Sequence, residues 1–405
     1  MRTITKRTFS LTSTGLAAVL ILTATPSLSQ EVYRIGALNP VTGAGSTYGS
    51  GMQKSILAAA AEVNAAGGPA GRRLEVLADD SQTAPEPAVL AAKKLIEVNK
   101  VGAILGTWSS SVSLAIQPLT QSSNVILMHT SSAPALFAQN QRLLSWGFQS
   151  GSKYNGQAMA AAVAKEGFKR PVIMAFNNDA ATGNVGYFRT SWEATGGKVL
   201  ASVVYEPRRT SYRSELQKAL TQNPDVIVLS GYLPDTTIIL REAYELGVTA
   251  KFLIPGWAAG PQLISALGPD ASQDVLVYES VPDVEGAAFK RYSEAYNKAL
   301  GATGEDNVFA AQSYDMVITL ALAMEKAGAS ADNIAIARAV REVANPEGQK
   351  VSSFAEGQKA LKAGQKINYE GASGRLDFDE DGNAVADFAV FTIDKGKYVK
   401  RYSLK

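Results

Sequence analysis

Residues 101–118 read VGAILGTWSSSVSLAIQP. Val101, Ala103, Ile104 and Leu105 form an apolar run that stops at Gly106. Three hydroxyls follow, Ser109, Ser110 and Ser111, and then Val112, Ala115, Ile116 and Leu119 recur at helical spacing. The pattern predicts a buried parallel strand, a short turn and a helix whose first turn is rich in serine. The unpaired N–H groups and partial positive charge of a helix N-terminus attract an anion. Serines there add neutral donors, which suits a carboxylate that is held and later released. The same serines also fit a simple N-cap with solvated neighbours, and this stretch alone leaves both readings open.

The pattern repeats outward from this stretch. On its C-terminal side, 125–128 is a strand that leads into His129-Thr130-Ser131-Ser132-Ala133-Pro134. On its N-terminal side, 32–38 is an apolar run, and Met52, Ile56, Ala59 and Val63 mark a helix ended by Gly67-Gly68. A strand at 74–77 stops at Asp79-Asp80, and Pro85 opens a helix running to Asn99. Strands alternating with helices of ten or more residues predict a doubly wound parallel sheet. The rhythm restarts with helix 154–166, strand 172–176, helix 185–195, strand 199–205, helix 212–221 and strand 226–229. Helix 236–246 and strands 252–254 and 275–278 complete it. Beyond Pro282 come mostly helices (287–300, 309–327, 331–344). Short strands at 375–378, 386–393 and 398–402 then meet at Asp381-Gly382 and Lys395-Gly396 turns.

Two βα series predict two α/β lobes. The expected division is 30–150 with 281–373 for the first lobe and 151–280 with 374–405 for the second, preceded by a signal segment over 1–29. That segment has Arg2, Lys6 and Arg7, no acids, an apolar stretch from Gly15 to Leu22, and small residues around Ser27 and Ser29. Removing it takes three positive charges from a formal +2, leaving −1. This balance gives no general attraction to nucleic acid. With no cysteine in the chain, disulfides, thiolate catalysis and an N-terminal lipid anchor are excluded. A soluble, monomeric periplasmic protein is expected.

Three motifs invite chemistry and fail on spacing. Gly43-Ala44-Gly45 and Gly49 resemble a dinucleotide loop, but the glycines lag the strand and Glu62 lies within a helix. Asp377-Phe378-Asp379-Glu380-Asp381-Gly382 begins like a calcium loop, yet the twelfth position is Phe388. His129 is the one histidine, and no Gly-x-Ser-x-Gly elbow accompanies it. Neither cofactor nor metal is expected, and no enzymatic activity. Tyr48, Trp108, Tyr232 and Trp257 each follow the C-terminal end of a predicted strand, where open parallel sheets bind ligands.

With these elements in place, the chain resembles the branched-chain amino-acid-binding proteins of ABC importers, the Leu/Ile/Val-binding type of periplasmic binding protein. The resemblance rests on Ile35-Gly36-Ala37-Leu38 to Tyr48-Gly49, Val63-Asn64-Ala65-Ala66-Gly67-Gly68 and Leu77-Ala78-Asp79-Asp80. It continues through Gly106 to Ser111, Ser230-Gly231-Tyr232-Leu233-Pro234-Asp235 and Gly374-Arg375-Leu376-Asp377-Phe378. It implies two lobes joined by three hinge crossings, one solute in the cleft, and an ABC permease as membrane partner. It also implies that Ser110 anchors a carboxylate with help from Ser131 and Ser132, and that Tyr48 and Tyr232 line the pocket. Trp108 and Trp257 join them as candidate walls. Three positions depart from the pattern. Ser109 replaces a cysteine, and Thr182 stands where many members carry a tyrosine. Gly256 lies where amino-acid binders place the acid that pairs with the ligand ammonium. With Gly256 there, an aromatic or short-chain carboxylate without an ammonium group is the alternative ligand, and Asp179 and Asp235 are the nearby acids that would have to substitute; a sensory receptor of the same fold, passing ligand occupancy to a membrane signalling partner, is the alternative role.

Overall fold

The computed structural model describes residues 1–5, 8, 30–301 and 307–404. By contact, the chain divides into Met1–Gln30 and Glu31–Lys405, and all the elements named below belong to the second unit. The basic and apolar parts of the expected signal segment, from Lys6 to Ser29, lie almost wholly outside the described residues.

The first lobe begins with β1 (Val32–Asn39), α1 (Ser46–Ala65), β2 (Arg73–Asp80), α2 (Pro85–Lys93) and β3 (Ala103–Thr107). It continues with α3 (Ser110–Ser122), β4 (Ile126–His129), α4 (Pro134–Ala138) and β5 (Ser145–Gly147). Its sheet is parallel throughout, in the order β2-β1-β3-β4-β5. The predicted helix from Pro85 to Asn99 ends early, and Lys94–Val98 form a wider π turn. The three-residue β5 and five-residue α4 are too short to leave a periodic signal.

The second lobe runs through α5 (Ser152–Lys165), β6 (Pro171–Phe176), α6 (Asp179–Ala194), β7 (Ser202–Tyr205) and α7 (Arg213–Leu220). After these come β8 (Val226–Ser230), α8 (Leu233–Glu245), β9 (Lys251–Pro255), α9 (Pro261–Ala271) and β10 (Leu276–Ser280). The chain then returns to the first lobe as α10 (Ala287–Leu300), α11 (Val308–Ala327), α12 (Asn333–Ala344), β11 (Gln349–Val351), α13 (Phe354–Lys362) and β12 (Ile367–Gly371). Short strands β13 (Gly374–Arg375), β14 (Asp377–Phe378) and β15 (Ala384–Val385) follow. Finally, β16 (Phe388–Asp394) and β17 (Lys397–Leu404) join the second sheet, whose order is β17-β16-β10-β9-β8-β6-β7. Among the described strands only β16 runs against the others there, pairing antiparallel with β10 and with β17. The architecture is therefore two doubly wound α/β lobes crossed three times, near 148–151, 281–286 and 386–387.

Sheet interiors explain the near-continuous apolar runs. Val226 to Leu229 are fully buried because helices cover both faces of a parallel sheet. Helix α11 is buried from Phe309 to Met324, wedged beside α1, α12 and β3. Within it, the carboxylate of Asp315 accepts from Tyr369 Oη (2.7 Å), Ala372 N (2.8 Å), Ser373 N (2.7 Å) and Ser373 Oγ (2.6 Å). That cluster ties α11 to the chain's last return.

The structure moves one expected boundary. The sequence reading hands the chain to the second lobe at Gly374, but Leu376, Phe378 and Ala384 pack in the same core as Ile35 and Met128. Phe378 sits edge-on to Trp146 and Phe148, with ring centroids 5.2 Å apart in each case. This burial keeps 374–385 in the first lobe, and the transfer comes just before Phe388.

Candidate functional site

Strand β3 and helix α3 meet through a bend that only certain residues permit. Gly106 has φ of 86°, and a Cβ there would lie 2.2 Å from Asn39 Nδ2, which donates to the Gly106 carbonyl at 3.1 Å. The bend shifts the β3–β4 register. It delivers Ser109, at φ 69°, to the N-cap of α3 and Ser110 to its first turn. Ser110 Oγ accepts the N–H groups of Ser132 (3.3 Å) and Ala133 (3.1 Å). Its own proton is left to donate elsewhere. Thr107, Ser113 and Ser131 form a hydroxyl chain with 2.8 Å links, which sets the loop after β4 against α3.

His129 holds the same loop from behind. Its Nδ1 accepts Ser131 N at 3.2 Å, an assignment that places the proton on Nε2. Burial pushes its pKa down to about 3, so the ring is neutral and cannot serve as a physiological base. Likewise, Asp379, which began the calcium-like pattern's third position, accepts Asp381 N, Asn383 N and Tyr154 Oη. It is a turn residue. Among the described residues no group of three metal-ligating side chains converges.

The serine loop opens on a void between the lobes. Of the sequence-predicted residues, Trp108, Ser109, Ser110, Ser131, Ser132, Tyr232 and Trp257 line it. Tyr48 stands one layer behind, between Trp108 (5.7 Å between centroids) and Phe309 (5.0 Å). Its hydroxyl donates across the lobes to the Trp257 carbonyl at 2.8 Å. Trp257 Nε1 donates to the Gly231 carbonyl at 3.1 Å, and Trp108 packs on Tyr232 at 5.5 Å. The Tyr48–Trp257 and Trp108–Tyr232 contacts hold the cleft closed.

Besides Tyr48, two expected residues are not in the wall. The Thr182 hydroxyl turns back to the Asn178 carbonyl at 2.6 Å, one helical turn away. Gly256 is covered by Glu279, whose Cδ lies 2.5 Å from the position a Gly256 Cβ would take. The acids expected to substitute are also elsewhere. Asp179 is exposed at the start of α6. Asp235 accepts Tyr232 N at 3.0 Å and the Tyr205 hydroxyl, capping α8, and burial pushes its pKa up to about 6.

Sequence reasoning missed Asn184, Ser230, Gln149 and Phe309, all of which line the void. Asn184 is fully buried. Its amide Nδ2 and Oδ1, like Ser230 Oγ, have no hydrogen-bond partner among the described residues, an unusual state for buried polar atoms. The signal was available: Asn184 interrupts the buried stripe Ala181, Val185, Phe188 and Trp192. Phe309 offers none, because an aromatic on a buried helix reads as core.

Comparison with known proteins matches residues 32–397 to the family described as periplasmic binding protein. The leucine-, isoleucine-, valine-, threonine- and alanine-binding protein of Pseudomonas aeruginosa is 25% identical over 379 residues, 91% of each chain. A solved leucine-binding protein from Thermotoga maritima has 25% identity and a TM-score of 0.78, covering 92% of this chain and 99% of that one. The branched-chain amino acid transporter substrate binding protein of Streptococcus pneumoniae, solved with isoleucine, shares the fold. Its TM-score is 0.74 at 22% identity, covering 92% of this chain and 100% of that one.

Proposed function

The chain belongs to the periplasmic binding protein family, and we propose that it captures a branched-chain or related amino acid between its lobes and delivers it to an ABC permease. In this reading it is exported by a signal segment over 1–29 and works as a monomer. The solute's carboxylate sits at the start of α3, and rigid-body closure about the three crossings buries it.

The observation that carries the reading is the Ser110 hydroxyl. It is buried in the void's wall and held in place by two backbone N–H donors, with its proton available to an anion. Losing a hydrogen bond to a charged group costs about 1.5–3 kcal/mol, roughly tenfold or more in affinity. Ser110→Ala is therefore expected to weaken leucine or valine binding by that factor in titration calorimetry, with the far-ultraviolet circular dichroism unchanged. Unaltered affinity would remove Ser110 as the anchor.

A second reading has its own support. Trp108, Tyr232, Trp257 and Phe309 wall the void with aromatic surface, which suits an aromatic carboxylate as well as an aliphatic side chain. The charge on the far side of the cleft separates the two.

A further inference from the structure

A second void adjoins the first, and Trp257 and Gln149 wall both. Glu279 lines it at the end of β10. Its carboxylate has neither an ion pair nor a hydrogen-bond partner among the described residues. The neighbours that bear on its charge are two tyrosines, Tyr48 and Tyr398. Their hydroxyls are engaged with the Trp257 carbonyl at 2.8 Å and with Gly260 N at 3.1 Å. Glu279 is only half-buried by exposed area, yet desolvation pushes its carboxyl up to about 7. A carboxylate turned toward a closed cleft without a counter-charge is costly, and such a cost persists where function uses it.

Strand register explains how it arrives there. In the parallel β9–β10 pair, Tyr278 lies opposite Pro255, so Glu279 falls beside Gly256. Its Cγ, Cδ and Oε1 lie 2.5–2.7 Å from the missing Gly256 Cβ. Any side chain at 256 would displace the carboxyl. The glycine is thus the space that the glutamate fills.

Resting on the solute-binding reading above, we propose that Glu279 supplies the negative charge that pairs with an ammonium group on the solute. It reaches across Gly256 from the neighbouring strand. The ligand is then an α-amino acid, and carboxylates that lack the ammonium are discriminated against. Ser110 takes the carboxylate and Glu279 the ammonium beside it on the same α-carbon.

The test is titration calorimetry at about pH 8 on the full mature chain, pairing L-leucine with 4-methylpentanoate and L-phenylalanine with 3-phenylpropanoate, and adding benzoate. Wild-type protein is expected to prefer an amino acid over its desamino partner. Glu279→Gln, which keeps the shape, should weaken the amino acid about tenfold or more and leave the desamino compound unchanged or tighter. Gly256→Ala should do the same by pushing the carboxyl aside, which guards against a folding artefact in the first variant. If wild type binds desamino carboxylates or benzoate at least as well, or if Glu279→Gln leaves amino-acid affinity intact, the role of Glu279 is overturned while solute capture stands. Equal losses for both ligand types would also overturn it. If no compound binds wild type, the carboxylate-capture reading falls and Glu279 with it.

Discussion

In the unliganded protein Glu279 should lower stability, and the cost should follow pH. Burial raises its carboxyl from 4.5 to about 7 in the folded state. Between these values the native chain binds the proton that the unfolded chain has released. The favourable contribution is therefore complete below about pH 4.5 and is lost as pH rises through about 7. At 1.36 kcal/mol per pH unit, a fully enclosed group would lose about 3 kcal/mol; screening of the part that stays exposed brings this to about 2 kcal/mol. Glu279→Gln removes the titration and keeps the volume. Urea unfolding of ligand-free wild type and variant, followed by circular dichroism, should show the variant more stable by about 2 kcal/mol at about pH 8. The gap should close by about pH 5. Asp235 and Asp315, each pushed up to about 6 by burial, titrate in both proteins and cancel in the comparison. A difference that does not grow with pH, or a variant less stable at pH 8, would mean that Glu279 is solvated and would refute the reasoning. Adding an amino acid should stabilise wild type more than the variant, because only wild type gains the ion pair.

Two other perturbations probe closure and scaffold. Tyr48→Phe removes the one hydroxyl that bonds to the Trp257 carbonyl across the lobes and keeps the ring contacts with Trp108 and Phe309. At about 1 kcal/mol per such bond, solute affinity should fall about fivefold, and small-angle scattering of the liganded protein at subsaturating solute should shift toward the larger, open radius; unchanged affinity would separate this bond from closure. Asp315→Asn sets an amide against the four donors that its carboxylate now accepts, so it should cost about 2–4 kcal/mol of stability. The check is thermal melting of the ligand-free chain, where an unchanged midpoint would show that the cluster is dispensable.

The parts of the fold that could be read from sequence are those with long periodic signals. The run 101–107 and the serine-led helix after it became β3 and α3 because apolar spacing and burial agree there. What the bend between them requires was less visible. Gly106 is needed because Asn39 crowds it, and Ser109 adopts a left-handed conformation that its residue type does not announce. At the lobe boundary, short strands carry little periodicity, so Leu376 and Phe378 could be assigned to the first core only once Trp146 and Phe148 were seen beside them. The aromatic walls show the same limit. Trp108, Tyr232 and Trp257 reach the void, whereas Tyr48 at an equivalent strand end bridges the lobes behind it.

Glu279 marks where a linear reading stops. At Gly256 the residue type shows only an absence, and the acids that the sequence reading puts forward, Asp179 and Asp235, follow the ends of other strands, β6 and β8. Charge in a binding site belongs to a place, however, and neighbouring strands can deliver to one place from distant parts of the chain. Here β9 and β10 run parallel with Tyr278 opposite Pro255, which brings the carboxyl of Glu279 over the glycine. The absence at 256 and the acid at 279 are therefore one feature. Because Gly256 has no Cβ to conflict with that carboxyl, a larger residue there and a glutamate at 279 are mutually exclusive in this geometry. Placing an acid at 256 should accordingly require a small residue at 279, and only the double change could deliver the charge from β9 instead of β10.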